Sequence, residues 1–309
     1  YTTLFRSRDS AGCSWVEGFA AFLNSRGYGF VLQDVRGRPD SGGTFAVLRH
    51  EIEDGQDTTH WIVRQPWSNG RVATMGGSYD GFTALAAAVD NPDVKLVISD
   101  DGTTDERCER IGGTFSAHTL SWLHLVETGR WISAEDRRAL TNALDPVRLD
   151  LALLGHEAPY WREALAQDAP GLWPADGSLE PRWSELCVPA LHVYSETSGW
   201  NDPLDIWRGM RAHGCAARAD EQFLIVTPDP HVHHLGRLGV ESTPVNERML
   251  SVLDAYLGEQ AAPDYLDDCA SIVFEQPKRT RDTVDWPPQL LRELGARIAD
   301  APLLCDYAF

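Results

Sequence analysis

One serine in this sequence stands where it could act as a nucleophile. It is Ser78, within MGGSYDGF at positions 75–82. In enzymes that use a serine nucleophile the surrounding pattern is often G-x-S-x-G, a sharp turn between a strand and a helix. Gly76 fits this pattern, but the second glycine, Gly81, comes one residue late. The context favours chemistry, because RVATMGG reads as a buried strand and YDGFTALAAAV as a helix that begins directly after the serine. We therefore predict that Ser78 lies at the carboxyl end of a strand, where ligands of open α/β sheets bind.

A reactive serine needs a base, and the base needs a third group that orients it. Candidate bases and acids follow two later strand-like runs. PALHVYS (189–195) is followed by Glu196, Asp202 and Asp205, and FLIVTP (223–228) by His231, His233 and His234. The chain order of serine, acid and histidine is the order that Ser–Asp–His enzymes on an α/β sheet use. The residues alone leave open which acid and which histidine take part.

The elements that must position these residues alternate between strands and helices. Short apolar runs rich in β-branched residues occur at 2–5, 29–35, 71–76, 95–100, 189–195 and 223–228, and helix-like segments separate most of them. Near-continuous apolar strands are typical of a mostly parallel sheet that is covered on both faces. The sequence therefore predicts an α/β fold with a doubly wound sheet.

Residues 104–183 interrupt this alternation, because they contain helix-like segments and no convincing strand. We expect them to form a helical lid over the strand ends, inserted before the strand that carries the acid. The core is then formed by 1–103 and 184–260, and the polar, irregular stretch 261–309 is expected to be a C-terminal extension.

Composition excludes several partners. The chain has 309 residues, of which 43% are hydrophobic, and its formal net charge is −19. This charge opposes binding to nucleic acid or to an anionic membrane surface. The chain contains neither a long apolar span nor a recognisable signal peptide, so we expect a cytoplasmic protein. The six cysteines are scattered without a C-x-x-C pair, so we expect free thiols rather than disulfides or a zinc site.

Several motifs together resemble the α/β-hydrolase family that includes cocaine esterase, the X-prolyl dipeptidyl-peptidases and the α-amino acid ester hydrolases. The resemblance covers roughly residues 1–260 and is most specific around Ser78. The family elbow is G-x-S-Y-x-G, which residues 76–81 match. Its acid lies in G-W-x-D, which corresponds to Gly199, Trp200 and Asp202, and its histidine follows G-P-W-x-H, which corresponds to Pro228 and His231. The resemblance implies an α/β-hydrolase fold.

Three departures from the family pattern bear on the site. Asp9 stands where the family usually has a tyrosine whose hydroxyl helps to hold the oxyanion. The insertion SETS before Gly199 lengthens the loop of the acid, which makes Glu196 a competitor of Asp202. The strands that family members usually add at the start, and their β-sandwich at the end, cannot be recognised here.

The resemblance implies a serine hydrolase that cleaves an ester or amide of a small-molecule or short peptide-like substrate. Ser78 is the expected nucleophile, His231 the base, Asp202 the acid, and the backbone N–H of Tyr79 the oxyanion donor. Such chemistry needs neither a cofactor nor a metal, and HVHH (231–234) lacks the further ligands of a zinc site. An acyltransferase with the same triad and a silent binding protein on this scaffold remain alternatives. Homo-oligomerisation is also left open.

Overall fold

A computed structural model describes residues 2–6, 13–38, 41–104, 110–111, 114–115, 117–128, 131–133, 135–136, 138, 148–166, 177–196, 202–232, 235, 244–258, 272–274 and 304–305. Asp9, Gly199, Trp200, His233 and His234 lie outside these residues.

The described residues form one eight-stranded sheet in which every described strand pair is parallel. Its strands are β1 (Thr2–Arg6), β2 (Phe30–Asp34), β3 (Val72–Gly77), β4 (Val94–Asp100), β7 (Ala190–Ser195), β8 (Gln222–Thr227), β9 (Ile272–Phe274) and β10 (Leu304–Cys305). Their order across the sheet is β10-β9-β8-β7-β4-β3-β1-β2. The parallel α/β sheet that the apolar runs predict is thereby confirmed.

Helices cover both faces of the sheet. They are α1 (Cys13–Ser25), α2 (Glu51–Val63), α3 (Tyr79–Ala86), α7 (Asp202–His213) and α8 (Pro244–Leu257). Successive strand residues point to opposite faces, so Ile98 of β4 packs with residues of α1 and α8, whereas its neighbour Val97 packs with residues of α2, α3 and α7. Two apolar layers therefore hold the central strands in place. No helix within the described part of the chain is long and apolar enough to cross a membrane.

The described residues between β4 and β7 form helices and a very short hairpin. The helices are α4 (Ala117–Thr128), α5 (Leu149–Leu154) and α6 (Pro159–Ala166), and a 3-10 turn follows at Glu180–Glu185. A hairpin of β5 (Arg110–Ile111) and β6 (Thr114–Phe115) precedes them, which the all-helical expectation does not include. The buried Asp150 carboxylate accepts bonds from Arg162 Nε at 2.7 Å and from Ala158 N at 3.0 Å, which ties α5 to α6.

Two further features differ from the expectations drawn from the sequence. The strands β9 and β10 lie within 261–309, where the sequence pattern predicts no strand. The expectation of free thiols is wrong for Cys187 and Cys215, which form a disulfide. The reason is topological, because the two cysteines precede the neighbouring parallel strands β7 and β8 and therefore lie at the same edge of the sheet.

Candidate active site

Ser78 occupies a strained turn between β3 and α3. Its backbone has φ 57° and ψ −123°, in the left-handed range of φ that non-glycine residues rarely adopt. Close packing around the turn explains the neighbouring glycines. A Cβ on Gly76 would lie 2.0 Å from the Asp80 carbonyl oxygen, and a Cβ on Gly81 would lie 2.6 Å from Gly102 Cα. The sequence predicts this strand–turn–helix, and strain of this kind is characteristic of functional sites.

Strand β4 anchors the turn from the side. Ser78 N donates to the Asp100 carbonyl oxygen at 2.9 Å, which extends the pairing of β3 with β4 by one residue. Gly81 N in turn donates to the Ser78 carbonyl oxygen at 2.9 Å and closes the first turn of α3. The serine is thus held by backbone bonds on both sides, independently of its own side chain.

Tyr79 begins α3, and its side chain is fixed in the core. Its hydroxyl donates to Glu51 and accepts from Leu48 N at 3.1 Å, and its ring lies 5.5 Å from that of Trp122 in α4. Burial, reinforced by the Glu51 carboxylate, holds the pKa of Tyr79 well above its usual value. Burial also raises the pKa of the Glu51 carboxyl, against the opposing effect of its bond from Tyr79. The N–H groups of a first helical turn have no partner within the helix, so the N–H of Tyr79 is suited to bind an anion.

His231 follows β8 and lies beside a carboxylate that the sequence reading did not select. Its Nδ1 is 3.3 Å from Oδ2 of Asp101, the residue directly after β4. The Asp101 carboxylate also accepts from Ser195 N at 2.8 Å and from Val232 N at 2.9 Å. Its side chain is 0% exposed, whereas that of His231 is 31% exposed. Burial raises the pKa of the Asp101 carboxyl, but the contacts with His231 and Ser195 outweigh burial, and the net pKa lies below its usual value.

The loop of His231 is seated against the turn of Ser78. A Cβ on Gly77 would lie 2.2 Å from Cγ1 of Val232, so the valine occupies the space that the glycine leaves open. Val232 itself has φ 54°, which is rare for a β-branched residue. The structure therefore brings together the residue before Ser78 and the residue after His231.

The two acids predicted from the sequence, Glu196 and Asp202, both follow β7 in the chain. Glu196 directly follows this strand and is half-buried. Asp202 is the first residue of α7, but its side chain lies outside the described residues. Asp101 is not among the acids that the sequence suggests, which all come after the strand-like run at 189–195. The available signal was the pair of aspartates at the end of KLVISDD, a strand-like run next to that of the serine.

The residues that the structure describes contain no cluster of histidine, cysteine, aspartate or glutamate that could hold a metal ion. A hydroxyl on a strained turn, an imidazole beside a buried carboxylate and a helix N-terminus are the parts that acyl transfer needs.

Comparison with known sequences finds a matching family model and related proteins. The model of the X-Pro dipeptidyl-peptidase family (S15) matches residues 4–233. Cocaine esterase of Rhodococcus is 29% identical over 295 residues, which cover 84% of this chain and 50% of the esterase. A protein of Mycobacterium bovis assigned as a serine esterase is 29% identical over 250 residues, which cover 67% of this chain and 38% of that protein. The chain thus spans half or less of the length of these relatives.

Solved structures share the fold. An aminopeptidase from a marine sediment archaeon of the Thaumarchaeota superimposes with a TM-score of 0.71 at 19% identity, covering 90% of this chain and 52% of that one. A CocE/NonD family hydrolase from Staphylococcus aureus gives a TM-score of 0.57 at 17% identity, covering 92% and 50%. An esterase of Pyrococcus furiosus gives 0.53 at 13% identity, covering 83% of each chain.

Proposed function

The chain belongs to the X-Pro dipeptidyl-peptidase family (S15), and from this premise we propose that it is a serine hydrolase that cleaves an ester or amide through an acyl-enzyme. The observation that carries the proposal is the strained turn at Ser78 with the loop of His231 packed against it. A silent binding protein has no need of a left-handed serine at this position, since such a conformation costs about 1–3 kcal/mol.

The proposed reaction proceeds in two halves. Ser78 Oγ attacks the substrate carbonyl carbon while His231 Nε2 takes the hydroxyl proton, and the developing oxyanion is held by the N–H of Tyr79. Collapse of the tetrahedral intermediate breaks the bond to the leaving group, which receives the proton from His231. Water then adds to the acyl carbon, gives a proton to His231, and the second collapse releases the acid and restores the serine hydroxyl.

A carboxylate must hold Nδ1 of His231 throughout both halves. The family resemblance nominates Asp202, which begins α7, and Glu196 is its competitor because of the inserted residues. The carboxylate keeps the ring in the tautomer that leaves Nε2 free to accept the proton, and it stabilises the charged imidazolium.

The proposed substrate class is a small-molecule or short peptide-like ester or amide. The names of the related proteins include an esterase of cocaine and a dipeptidyl-peptidase, so the shared step is acyl transfer from a carbonyl carbon to serine. The acyl acceptor distinguishes hydrolysis from transfer. We propose water as the acceptor, and an acyltransferase that uses an amine or alcohol is the second candidate.

Labelling with a fluorophosphonate tests the proposal directly. Ser78 should be the labelled residue, and the wild-type chain should hydrolyse p-nitrophenyl acetate. Ser78→Ala should lose labelling and lower turnover by about 10⁶, the order seen when a nucleophilic serine is removed. Ser99→Ala is the matched control, since Ser99 is a buried serine of the adjacent strand and its loss should leave labelling intact.

Three other outcomes would contradict parts of the proposal. A Ser78→Ala variant with wild-type turnover excludes the serine mechanism. Labelling with turnover only after an amine or alcohol is added identifies an acyltransferase. A folded wild-type chain that is neither labelled nor active is a silent scaffold.

A further inference from the structure

The side chain of Tyr79 ends in a buried group of hydrogen bonds at the start of α2. Its hydroxyl donates to Oε1 of Glu51, the first residue of α2, and accepts from the N–H of Leu48 at 3.1 Å. The other carboxylate oxygen, Oε2, accepts from His50 N at 2.9 Å. Each oxygen of the Glu51 carboxyl group therefore has a donor, and the phenol has both a donor and an acceptor. Leu48, Glu51 and Tyr79 are each less than a tenth exposed.

Glu51 is a buried titratable residue that the proposed reaction does not use. Burying a carboxyl group is unfavourable even when it is hydrogen-bonded, and apolar residues of similar volume often fill such a space at no loss of stability. The backbone of Leu48, which donates to the same phenol, has φ 55°, a value that non-glycine residues rarely adopt. Unfavourable features of this kind persist where the surrounding structure requires them, and they are concentrated at functional sites.

The phenol matters because Tyr79 fixes the turn of the nucleophile. In the stretch GGSYDG, at 76–81, tyrosine is the one large side chain. Its ring lies 6.2 Å from that of Phe45 and 5.5 Å from that of Trp122, so it is held on its sides as well as at its hydroxyl. The same residue carries the backbone N–H that is the proposed oxyanion donor. A shift of the side chain therefore moves the donor.

We propose that Glu51 is a positioning residue for the oxyanion donor. By accepting the bond from the Tyr79 hydroxyl, it keeps the N–H of Tyr79 directed at the substrate oxygen on which negative charge develops. The inference rests on the serine hydrolase function proposed above. The developing charge is present in the transition state and not in the bound substrate, so Glu51 should affect kcat and leave KM nearly unchanged.

Two substitutions of Glu51 test this role. Glu51→Ala leaves the Tyr79 hydroxyl without its acceptor and should lower kcat for p-nitrophenyl acetate by about thirtyfold, with KM within about threefold. This loss is smaller than the factor of about 10²–10³ that follows complete removal of an oxyanion donor, because the N–H is displaced rather than absent. Glu51→Gln keeps an amide oxygen that can accept from the same hydroxyl, so its kcat should stay within about threefold of the wild type.

The pair of Tyr28 and Asp254 provides the matched control. The Tyr28 hydroxyl also donates to a carboxylate, that of Asp254 in α8, and Tyr28 packs with the apolar layer on the opposite face of the sheet. Asp254→Ala should lower the midpoint of thermal unfolding, as Glu51→Ala should, but keep kcat within about twofold. If kcat falls equally in the two alanine variants, the effect is a general loosening of the fold, and the role of Glu51 is refuted.

A trifluoromethyl ketone supplies a readout that a merely structural role would not change. Ser78 Oγ adds to its carbonyl carbon, the carbonyl electron pair moves to the oxygen, and the hydroxyl proton passes to His231. Because the resulting oxyanion imitates the transition state, its inhibition constant should rise in Glu51→Ala by about the factor that kcat/KM loses. It should be nearly unchanged in Glu51→Gln and Asp254→Ala. An unchanged inhibition constant in a slower Glu51→Ala variant overturns the proposal.

The outcomes also separate this inference from the proposed function. A wild-type chain that is not labelled at Ser78 contradicts the serine hydrolase function, and with it the reaction that Glu51 would serve. In a labelled and active wild type, a loss of less than about threefold in Glu51→Ala, or equal losses in Glu51→Ala and Glu51→Gln, refutes the role of Glu51 alone. If Glu51→Ala does not fold, Tyr79→Phe decides, because it removes the same bond from the other side. Its kcat should fall by about tenfold at a KM within about threefold, and a wild-type kcat refutes the proposal.

Discussion

The packing of Gly77 against Val232 allows the contact between the serine turn and the histidine loop to be tested. Gly77 is outside the group of described glycines with left-handed φ, so alanine is compatible with its backbone. Its Cβ would nevertheless lie 2.2 Å from Val232 Cγ1 and 3.2 Å from Cγ2. Carbon atoms pack at about 3.5–4.0 Å, so the two segments must separate by roughly 1 Å. A displacement of about 1 Å between reacting groups costs about 10² in rate, so Gly77→Ala should lower kcat/KM by about a hundredfold.

A second substitution should restore activity if this reasoning is right. Val232→Ala removes both methyl groups that the new Cβ would meet, so Gly77→Ala/Val232→Ala should recover at least about tenfold over Gly77→Ala, a coupling of about 1–3 kcal/mol. Gly18→Ala is the control, because a Cβ there meets nothing within 4 Å. It should change kcat/KM by less than about twofold, as surface substitutions usually do.

The assay is hydrolysis of p-nitrophenyl acetate together with the rate of fluorophosphonate labelling, and thermal unfolding confirms that each variant is folded. Both rates should fall in Gly77→Ala and rise again in the double variant. Wild-type rates in Gly77→Ala, or no recovery on adding Val232→Ala, would show that the two segments are not in contact in the active enzyme.

Two further predictions concern stability. Burial lowers the pKa of His192, in β7, to about 4, so the unfolded chain binds more protons than the folded chain between pH 6.5 and pH 4. The free energy of unfolding should therefore fall as the pH is lowered through this window, by on the order of 3 kcal/mol more than in His192→Gln. Urea unfolding at a series of pH values measures this difference, and parallel pH curves for the two proteins would contradict the lowered pKa of His192. Tyr79→Phe removes a buried hydroxyl that bonds Glu51 and Leu48, so it should lower the free energy of unfolding by about 1–3 kcal/mol. Fluorophosphonate labelling should persist in this variant, because the proposed oxyanion donor is the backbone N–H of Tyr79. The Tyr256 hydroxyl bonds Glu221 at 3.2 Å near the surface, so Tyr256→Phe should lower the free energy of unfolding by less than about 1 kcal/mol. Equal losses in the two variants would contradict the larger contribution expected of the buried Tyr79 hydroxyl.

Local pattern was sufficient to predict the fold class and the turn at Ser78. Buried parallel strands are apolar along their whole length, so each central strand was recognisable without knowledge of its partners. A Cβ on Gly76 would clash with Asp80 in the same turn, so this glycine reflects a local requirement. The same reasoning could not find β9 and β10, because strands of three and two residues carry too little pattern.

Contacts between residues that are distant in the sequence were harder to predict. The neighbour of His231 depends on which strand ends meet, and the sequence alone does not show that the end of β4 contacts the loop after β8. The disulfide of Cys187 and Cys215 likewise follows from the adjacency of β7 and β8, which spacing along the chain does not reveal. The assignment of Asp202 and the effect of Asp9 remain predictions, since the side chain of the first and the whole of the second lie outside the described residues.

The carboxylate of Asp101 also has a consequence for how the chain acquires its site. It receives Ser195 N across 94 residues of sequence and Val232 N across 131 residues. Closing loops of this length has an entropic cost that must be met before the contacts form, so such contacts are made late in folding. On a ribosome, the turn of Ser78 can therefore form with β3 and β4 long before the histidine loop has been synthesised. The nascent chain would carry the serine turn and an Asp101 that has not yet received its two backbone donors, and reactivity would arise only when β8 docks on β7.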